Sequence, residues 1–411
     1  MRMILPILVA AIGAMMAAKA GGATPSFEDF DRRARAGERL SVVFFGASLT
    51  WGANAGNPQV TSYRGQFARR LEEAYPEAHL KFHDAAIGGT GSQLGVFRLD
   101  RDVLAHKPDL VLLDFSANDD IYSDNPETLA SYESLVRRIV LDGRAPVLPV
   151  IFPFRWNVER GDLGGMKRRD AHLAIAKAYG TVAGDAVALA VERTGRRKED
   201  VARLWPVDGV HPGDEGYALF TDAAWSAFHE AVKGKLVCAA PEKMLYASTY
   251  MKAARVRISA LQPLPAGWRI GRPNVVSAYF DMLMSRWLDD ETIAERPANP
   301  ARLKVRFSGS IVMLFGESTP KSGKFRAFID SKPVLPKADK NAPATDLWDA
   351  GTLARRLGGN TFLAPVLAEG LDETAEHTLQ IEPVFTDPAE VELRIESICV
   401  AGGEAKVAPL R

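Results

Sequence analysis

Five residues of this chain have the types and the spacing to move an acyl group. Ser48 follows the apolar run Val42, Val43, Phe44, Phe45 and the turn residue Gly46, so its hydroxyl sits where a buried strand runs into a tight turn. Gly89 lies in the glycine-rich turn Ile87-Gly88-Gly89-Thr90-Gly91, and Asn118 lies in the polar loop Ser116-Ala117-Asn118-Asp119-Asp120. Near residue 210 the chain reads WPVDGVHPGDEGY, which places Asp208 and His211 three residues apart between a proline and a Pro-Gly pair. A loop so constrained can hold a carboxylate against one imidazole nitrogen and leave the other nitrogen free as a base. Each piece alone has a plainer reading. Ser48 could cap a helix, Gly88 and Gly89 could simply allow positive φ, Asn118 could form a turn, and the Asp-His pair could be structural. Together they supply a nucleophile, two kinds of oxyanion donor, a base and its orienter.

The elements that must position these groups alternate between strand-like and helix-like segments. After the first strand, residues 63–75 place apolar side chains at helical spacing, and Pro76 ends the run. Residues 80–86 read as a second strand, 94–106 as a helix, and 109–115 (DLVLLDF) as a central strand buried on both faces. A helix over 126–141, a strand over 146–151, a helix over 166–179 and a last helix over 213–232 follow. This alternation predicts a three-layer α/β/α domain on a parallel sheet. In such a sheet the loops at the carboxyl ends of the strands line the ligand crevice, which is where Ser48, Gly89 and Asn118 fall.

The order and context of the four blocks resemble the SGNH hydrolase superfamily, the GDSL-type esterases and lipases, over roughly residues 40–233. The resemblance implies that Ser48 is the nucleophile, that Asp208 and His211 are the acid and base, and that the backbone of Ser48, Gly89 and the Asn118 side chain form the oxyanion hole. Gly88 is the alternative to Gly89. Three positions depart from the family pattern: Ala47 replaces the Asp of the GDSL name, Ser116 stands for Gly in the third block, and Asp84 for Asn in the second. The nucleophile elbow of α/β-hydrolases is excluded, because it needs a glycine two residues after the serine, where this chain has Thr50. The set calls for no metal and no cofactor.

The 51 Lys and Arg residues equal the 51 Asp and Glu, with no long block of one sign, so neither nucleic acid nor an anionic membrane surface is implied as a partner. Arg2, the apolar run 3–18 and the small-x-small triplet Ala18-Lys19-Ala20 read as an export signal over 1–20. The mature protein is then expected in the periplasm or outside the cell, with no membrane span. Cys238 and Cys399 leave two readings, a disulfide or two separately buried thiols.

Domain boundaries are expected at 21–236 for the hydrolase-like domain, 237–245 for a connector and 246–411 for a second domain. Short strand-like runs at 303–307, 310–315, 324–329, 378–383 and 390–400 predict an antiparallel β-sandwich there, with residues 278–288 as a helical insert. This region weakly resembles the accessory β-domains of some bacterial SGNH carbohydrate esterases. Trp268, Trp287 and Trp348 are either core residues or sugar-stacking platforms. Trp51, Arg64, and Arg155 with Trp156 in the loop 152–165 are further candidates for the pocket border. The implied activity is hydrolysis of a carboxylic ester through an acyl-enzyme, with acetyl or another short acyl group on a carbohydrate as the substrate. The alternatives are a lipase, thioesterase or arylesterase of the same superfamily, or a non-catalytic polysaccharide-binding surface protein.

Overall fold

The computed structural model describes residues 24–274, 287–337 and 345–410. The expected signal at 1–20 and residues 278–286 of the expected insert lie outside the described residues. The chain opens with α1 (Phe27–Arg35), then β1 (Arg39–Gly46), α2 (Ser48–Trp51), α3 (Tyr63–Ala74), β2 (His79–Ala86) and α4 (Ser92–Asp102). β3 (Leu110–Leu113), α5 (Pro126–Leu141), β4 (Val147–Ile151), α6 (Arg155–Arg160) and α7 (Lys167–Ala178) follow. The short β5 (Gly184–Asp185), α8 (Ala186–Thr194), α9 (Lys198–Leu204) and α10 (Asp214–Lys233) complete this part.

The five strands pair in the order β2-β1-β3-β4-β5, parallel throughout, so the α/β fold class expected from the sequence is the one observed. Burial on both faces explains why residues 42–45 of β1, and all of β3 and β4, read as unbroken apolar runs. Val42, Val43, Phe44 and Phe45 are all at most 1% exposed, and each such side chain contributes roughly 1.5–3 kcal/mol on leaving water. α5 has the expected limits because Asn125 accepts from the N–H groups of Glu127 and Thr128 at its start and Pro126 fills the first turn. The stretch 152–165, expected as a loop, contains α6, whose entry is fixed by the Phe154 N–H donating to Asn157 Oδ1 at 2.7 Å. α8 and α9 have no counterpart in the sequence reading; both are short.

The connecting stretch is bonded to the first domain. The N–H groups of Leu245 and Tyr246 donate to the buried carboxylate of Glu133, at 2.9 and 2.7 Å, and Arg137 donates to the Pro241 carbonyl at 2.7 Å. Among the described residues no helix is long and apolar enough to cross a membrane.

The second part is antiparallel: β6 (Ala253–Arg257), β7 (Trp268–Gly271), β8 (Glu291–Glu295), β9 (Leu303–Ser308), β10 (Ile311–Ser318), β11 (Lys324–Ile329), β12 (Lys332–Val334) and β13 (Trp348–Asp349) come first. The helix α11 (Thr352–Leu357) then precedes β14 (Thr361–Leu363), β15 (Val366–Ala368), β16 (Glu376–Val384), β17 (Glu392–Ala401) and β18 (Lys406–Pro409). One sheet follows the order β14-β10-β17-β8-β7 and the other β12-β11-β16-β9-β18, giving the expected β-sandwich. β11, β16 and β9 alternate between buried and open residues, as outer strands do, whereas β10 is buried along its whole length.

The reason is that β10 and β17 carry two cores. Val312, Leu314, Ile398 and Val400 pack between the sheets, while Ile311, Met313, Phe315, Cys399 and Ala401 join the core of the α/β domain. Arg98 on α4 lies over both Phe45 and Trp287, 5.1 and 5.5 Å from the ring centres, which ties the two parts through a cation–π contact on each side. Of the two cysteine readings the structure has separate thiols: Cys238 and Cys399 are both free and buried, Cys238 beside Val147 and Thr181 and Cys399 beside Arg255. Trp268 and Trp287 are core residues, 7% and 5% exposed, and Trp348 stacks on Phe325 with its N–H donated to the Val334 carbonyl, so the sugar-stacking reading of these three does not fit their packing.

Candidate active site

Three strand ends and one late loop meet above the parallel sheet. Ser48 begins α2, directly after β1, and is 3% exposed. Its hydroxyl oxygen lies 3.0 Å from His211 Nε2, a contact that spans 163 positions of sequence. The other imidazole nitrogen, Nδ1, lies 3.2 Å from Asp208 Oδ2, so with Nδ1 protonated the free Nε2 accepts from the serine.

The Asp208 loop is folded on itself. Asp208 Oδ1 accepts from the backbone N–H of Val210 at 2.7 Å and of His211 at 2.6 Å, which turns the chain so that Oδ2 faces the ring. Oδ2 also accepts from Asn54 Nδ2 at 2.8 Å. Burial pulls the Asp208 carboxyl upward, but the donors from His211 and Val210 outweigh it and hold the group below its ordinary value. Asp208 is therefore a carboxylate at neutral pH, as a partner for an imidazolium must be.

Asn54 was not among the residues singled out from the sequence, where it reads as one more turn former in Gly-Ala-Asn-Ala-Gly. It adopts a left-handed φ of 65°, a conformation that Asn tolerates. Its loop is anchored to α10 by Tyr217, whose hydroxyl donates to the Ala53 carbonyl at 2.7 Å, and by the Gly56 N–H, which donates to Asp214 at 2.7 Å.

The two remaining candidates follow β2 and β3, the strands that flank β1 in the sheet. Gly89 has φ of +76°, a backbone state that favours glycine, and a β-carbon there would stand 3.4 Å from the ring of Phe362. Gly89 and Asn118 line one cavity of about 360 Å³, whose far wall is made by Met313, Phe362 and Ala364 of the β-sandwich. Ser48 and His211 lie outside its lining, so it extends away from the nucleophile on the side of the two donor candidates. Phe362 is a second contributor that the sequence reading missed, because nothing in residues 359–364 marks a return to the first domain.

The Asn118 loop is held from below and from the side. Ser116 Oγ donates to Asp114 Oδ1 at 2.9 Å and accepts from the Phe152 N–H at 2.9 Å, which is what a serine provides where the family pattern has glycine. Burial pushes the Asp114 carboxyl up to about 7, despite the Ser116 donors. Asp119 accepts from the Ser92 N–H at 3.1 Å, tying this loop to the start of α4, and burial pushes it up to about 6 against the attraction of Arg168. Asp84 faces Arg64 at 3.4 Å; Arg64 is only 7% exposed, so this border candidate is committed to an internal ion pair. Trp51 is half-buried on α2, and Arg155 and Trp156 start α6 beside the Asp208 loop.

Comparison with known proteins agrees with this geometry. Residues 44–219 match the GDSL-like Lipase/Acylhydrolase family. The chain is 25% identical over 206 residues to an acetylxylan esterase from Geobacillus stearothermophilus, covering 46% of this chain and 92% of that protein. Its fold is similar, with a TM-score of 0.69 and 21% identity, to the crystal structure of a two-domain esterase (CEX) active on acetylated mannans, over 92% of this chain and 95% of that one. Residues 44–219 are thus a GDSL-like lipase/acylhydrolase domain of the SGNH type, joined to a β-sandwich.

Proposed function

We propose that this protein is an exported serine esterase that removes acetyl or another short acyl group from a carbohydrate. The observation that carries the reading is the chain of contacts Ser48 Oγ to His211 Nε2 at 3.0 Å and His211 Nδ1 to Asp208 Oδ2 at 3.2 Å. His211 takes the Ser48 proton as the serine oxygen attacks the ester carbonyl. The tetrahedral oxyanion is held by the backbone N–H groups of Ser48 and Gly89 and by the Asn118 carboxamide. His211 then returns the proton to the departing alcohol, leaving an acyl-serine. A water, deprotonated by His211, attacks that ester; the acid is released and Ser48 is regenerated. Asp208 holds the tautomer of His211 and offsets its charge.

The acetyl group is supported by the acetylxylan esterase relative. The carbohydrate side is supported by the acetylxylan esterase relative and by the shared fold of the mannan-active two-domain esterase. The small-x-small signal pattern over 1–20 supports export to where such polymers are found. The test is acetate release from acetylated xylan and glucomannan, together with labelling by a serine-directed fluorophosphonate. The wild type is expected to release acetate and to be labelled, and Ser48→Ala to do neither. Ordinary turnover in Ser48→Ala overturns the assignment, and a wild type that is neither labelled nor active is the outcome of a pure polysaccharide binder.

A further inference from the structure

The tryptophans that the sequence offered for sugar stacking are spent on packing, but another indole stands open beside the acid–base loop. Trp156 is 48% exposed, while Trp205, Trp268 and Trp287 are 1%, 7% and 5% exposed. In the same loop Val207, the residue before Asp208, is 69% exposed. An uncovered indole forfeits the stabilisation that burial of so large a ring would bring, and it leaves a flat apolar face open to a ligand.

The ring is open without being loose. One flank rests on Phe154, with centroids 4.8 Å apart and planes at 45°. Another part leans on Gly209, the residue between Asp208 and Val210: a β-carbon at 209 would stand 3.1 Å from the indole, tight enough that the ring would have to give by a few tenths of an ångström. The Arg155 N–H donates to the Gly209 carbonyl at 2.8 Å, and Arg155 is itself paired with Glu159 at 2.7 Å, so the start of α6 is fastened to the loop that carries the acid and the base. The indole is thereby held in one orientation relative to His211.

Chemistry decides which part of an ester passes there. In acyl transfer the base that takes the serine proton delivers it to the leaving oxygen, so the alcohol lies on the side of the imidazole and the carbonyl oxygen on the side of the oxyanion donors. Gly89 and Asn118, with Phe362 behind Gly89, stand on the donor side. Trp156 leans on the loop of the imidazole, which is the alcohol side. A pyranose ring presents a flat face of C–H groups, and a flat, fixed, apolar indole is its complement.

We infer that Trp156 is a stacking platform for a sugar ring on the alcohol side of the ester, and so a specificity-determining residue. The inference rests on the esterase reading above. The test compares an acetylated oligosaccharide with triacetin, an acetate ester that has no ring. The ratio of kcat/KM for the oligosaccharide to that for triacetin is expected to fall about tenfold in Trp156→Ala, carried by KM, and to stay within about twofold of wild type in Trp156→Phe. Trp156→Leu keeps an apolar cover over Gly209 without a ring, and the same fall is expected in it should the alanine variant fold poorly. An unchanged ratio in the alanine and leucine variants overturns the platform while leaving the esterase intact. A wild type that cleaves triacetin but no acetylated saccharide overturns the carbohydrate reading and the platform with it.

Discussion

Asn54 donates its carboxamide N–H to Asp208 Oδ2 at 2.8 Å, the same oxygen that lies 3.2 Å from His211 Nδ1. The acid is thus held by a residue 154 positions away, and its pull on the imidazole is shared with a neutral donor. Removing that donor in Asn54→Ala leaves the carboxylate free to turn from the ring, and kcat is expected to fall by roughly tenfold, about what one hydrogen bond to a charged group contributes. Asn54→Asp places a second carboxylate against Asp208. That charge favours imidazolium, so besides a lower rate the acidic limb of the kcat/KM profile is expected to move to higher pH. A pH–rate profile of both variants checks this; two profiles that differ from wild type only in height would mean that Asn54 does no more than support the loop.

In the proposed mechanism Asn118 and Gly89 serve the same developing charge in different ways, and their variants should fail differently. Loss of one preorganised oxyanion donor costs on the order of 10²–10³ in turnover in comparable sites, so Asn118→Ala is expected to lose that much kcat with the fold intact. Gly89→Ala keeps a backbone N–H but must adopt φ of +76°, at a strain of about 1–2 kcal/mol. Activity and thermal stability are therefore expected to drop together in Gly89→Ala, and activity alone in Asn118→Ala, measured as kcat and Tm side by side.

These residues differ in how far the sequence announced them, and the reason is physical. Strand burial writes itself into composition: residues 42–45 of β1 and all of β3 and β4 are apolar, and the turns after β1 and β3 carry Ser48 and Asn118 within a few residues. Asp208 and His211 share a short proline-bounded loop, so their partnership was local and readable. Asn54 and Phe362 reach the site through long-range packing alone. Nothing in the pattern of β10 shows that Ile311, Met313 and Phe315 face another domain, because apolar residues on both faces of a strand do not reveal what covers each face. Helices as short as α8 and α9 carry too few turns for periodicity to show.

Cys238 and Cys399 bear on how the chain should respond to reductant. Both are free and buried, and burial pushes their thiols up to about 11 and about 12, so at neutral pH each is a protonated, shielded thiol. A thiol reagent is expected to modify neither in the native protein and both after denaturation, and dithiothreitol should leave Tm unchanged. A Tm that falls on reduction would mean that a disulfide forms.

Asp114 gives the clearest pH dependence of stability. Its carboxyl is fully buried, Oδ1 accepts from both the N–H and the hydroxyl of Ser116, and burial raises it from 3.8 to about 7. Between about pH 4 and 7 the folded chain holds a proton that the unfolded chain has released. Stability from this group is therefore fully present below about pH 4, is lost as pH rises to about 7, and is flat above that. Asp114→Asn keeps an acceptor for the two Ser116 donors and removes the titration. Other buried acids are shared by both proteins and largely cancel in the difference, apart from Asp119, whose charge adds to the rise of Asp114. The variant is expected to gain stability relative to wild type as pH rises from 4 to 8, by up to about 4 kcal/mol at 1.36 kcal/mol per pKa unit, read as a growing difference in Tm. A Tm difference that is the same at pH 5 and pH 8 would show that Asp114 stays ionised in the fold.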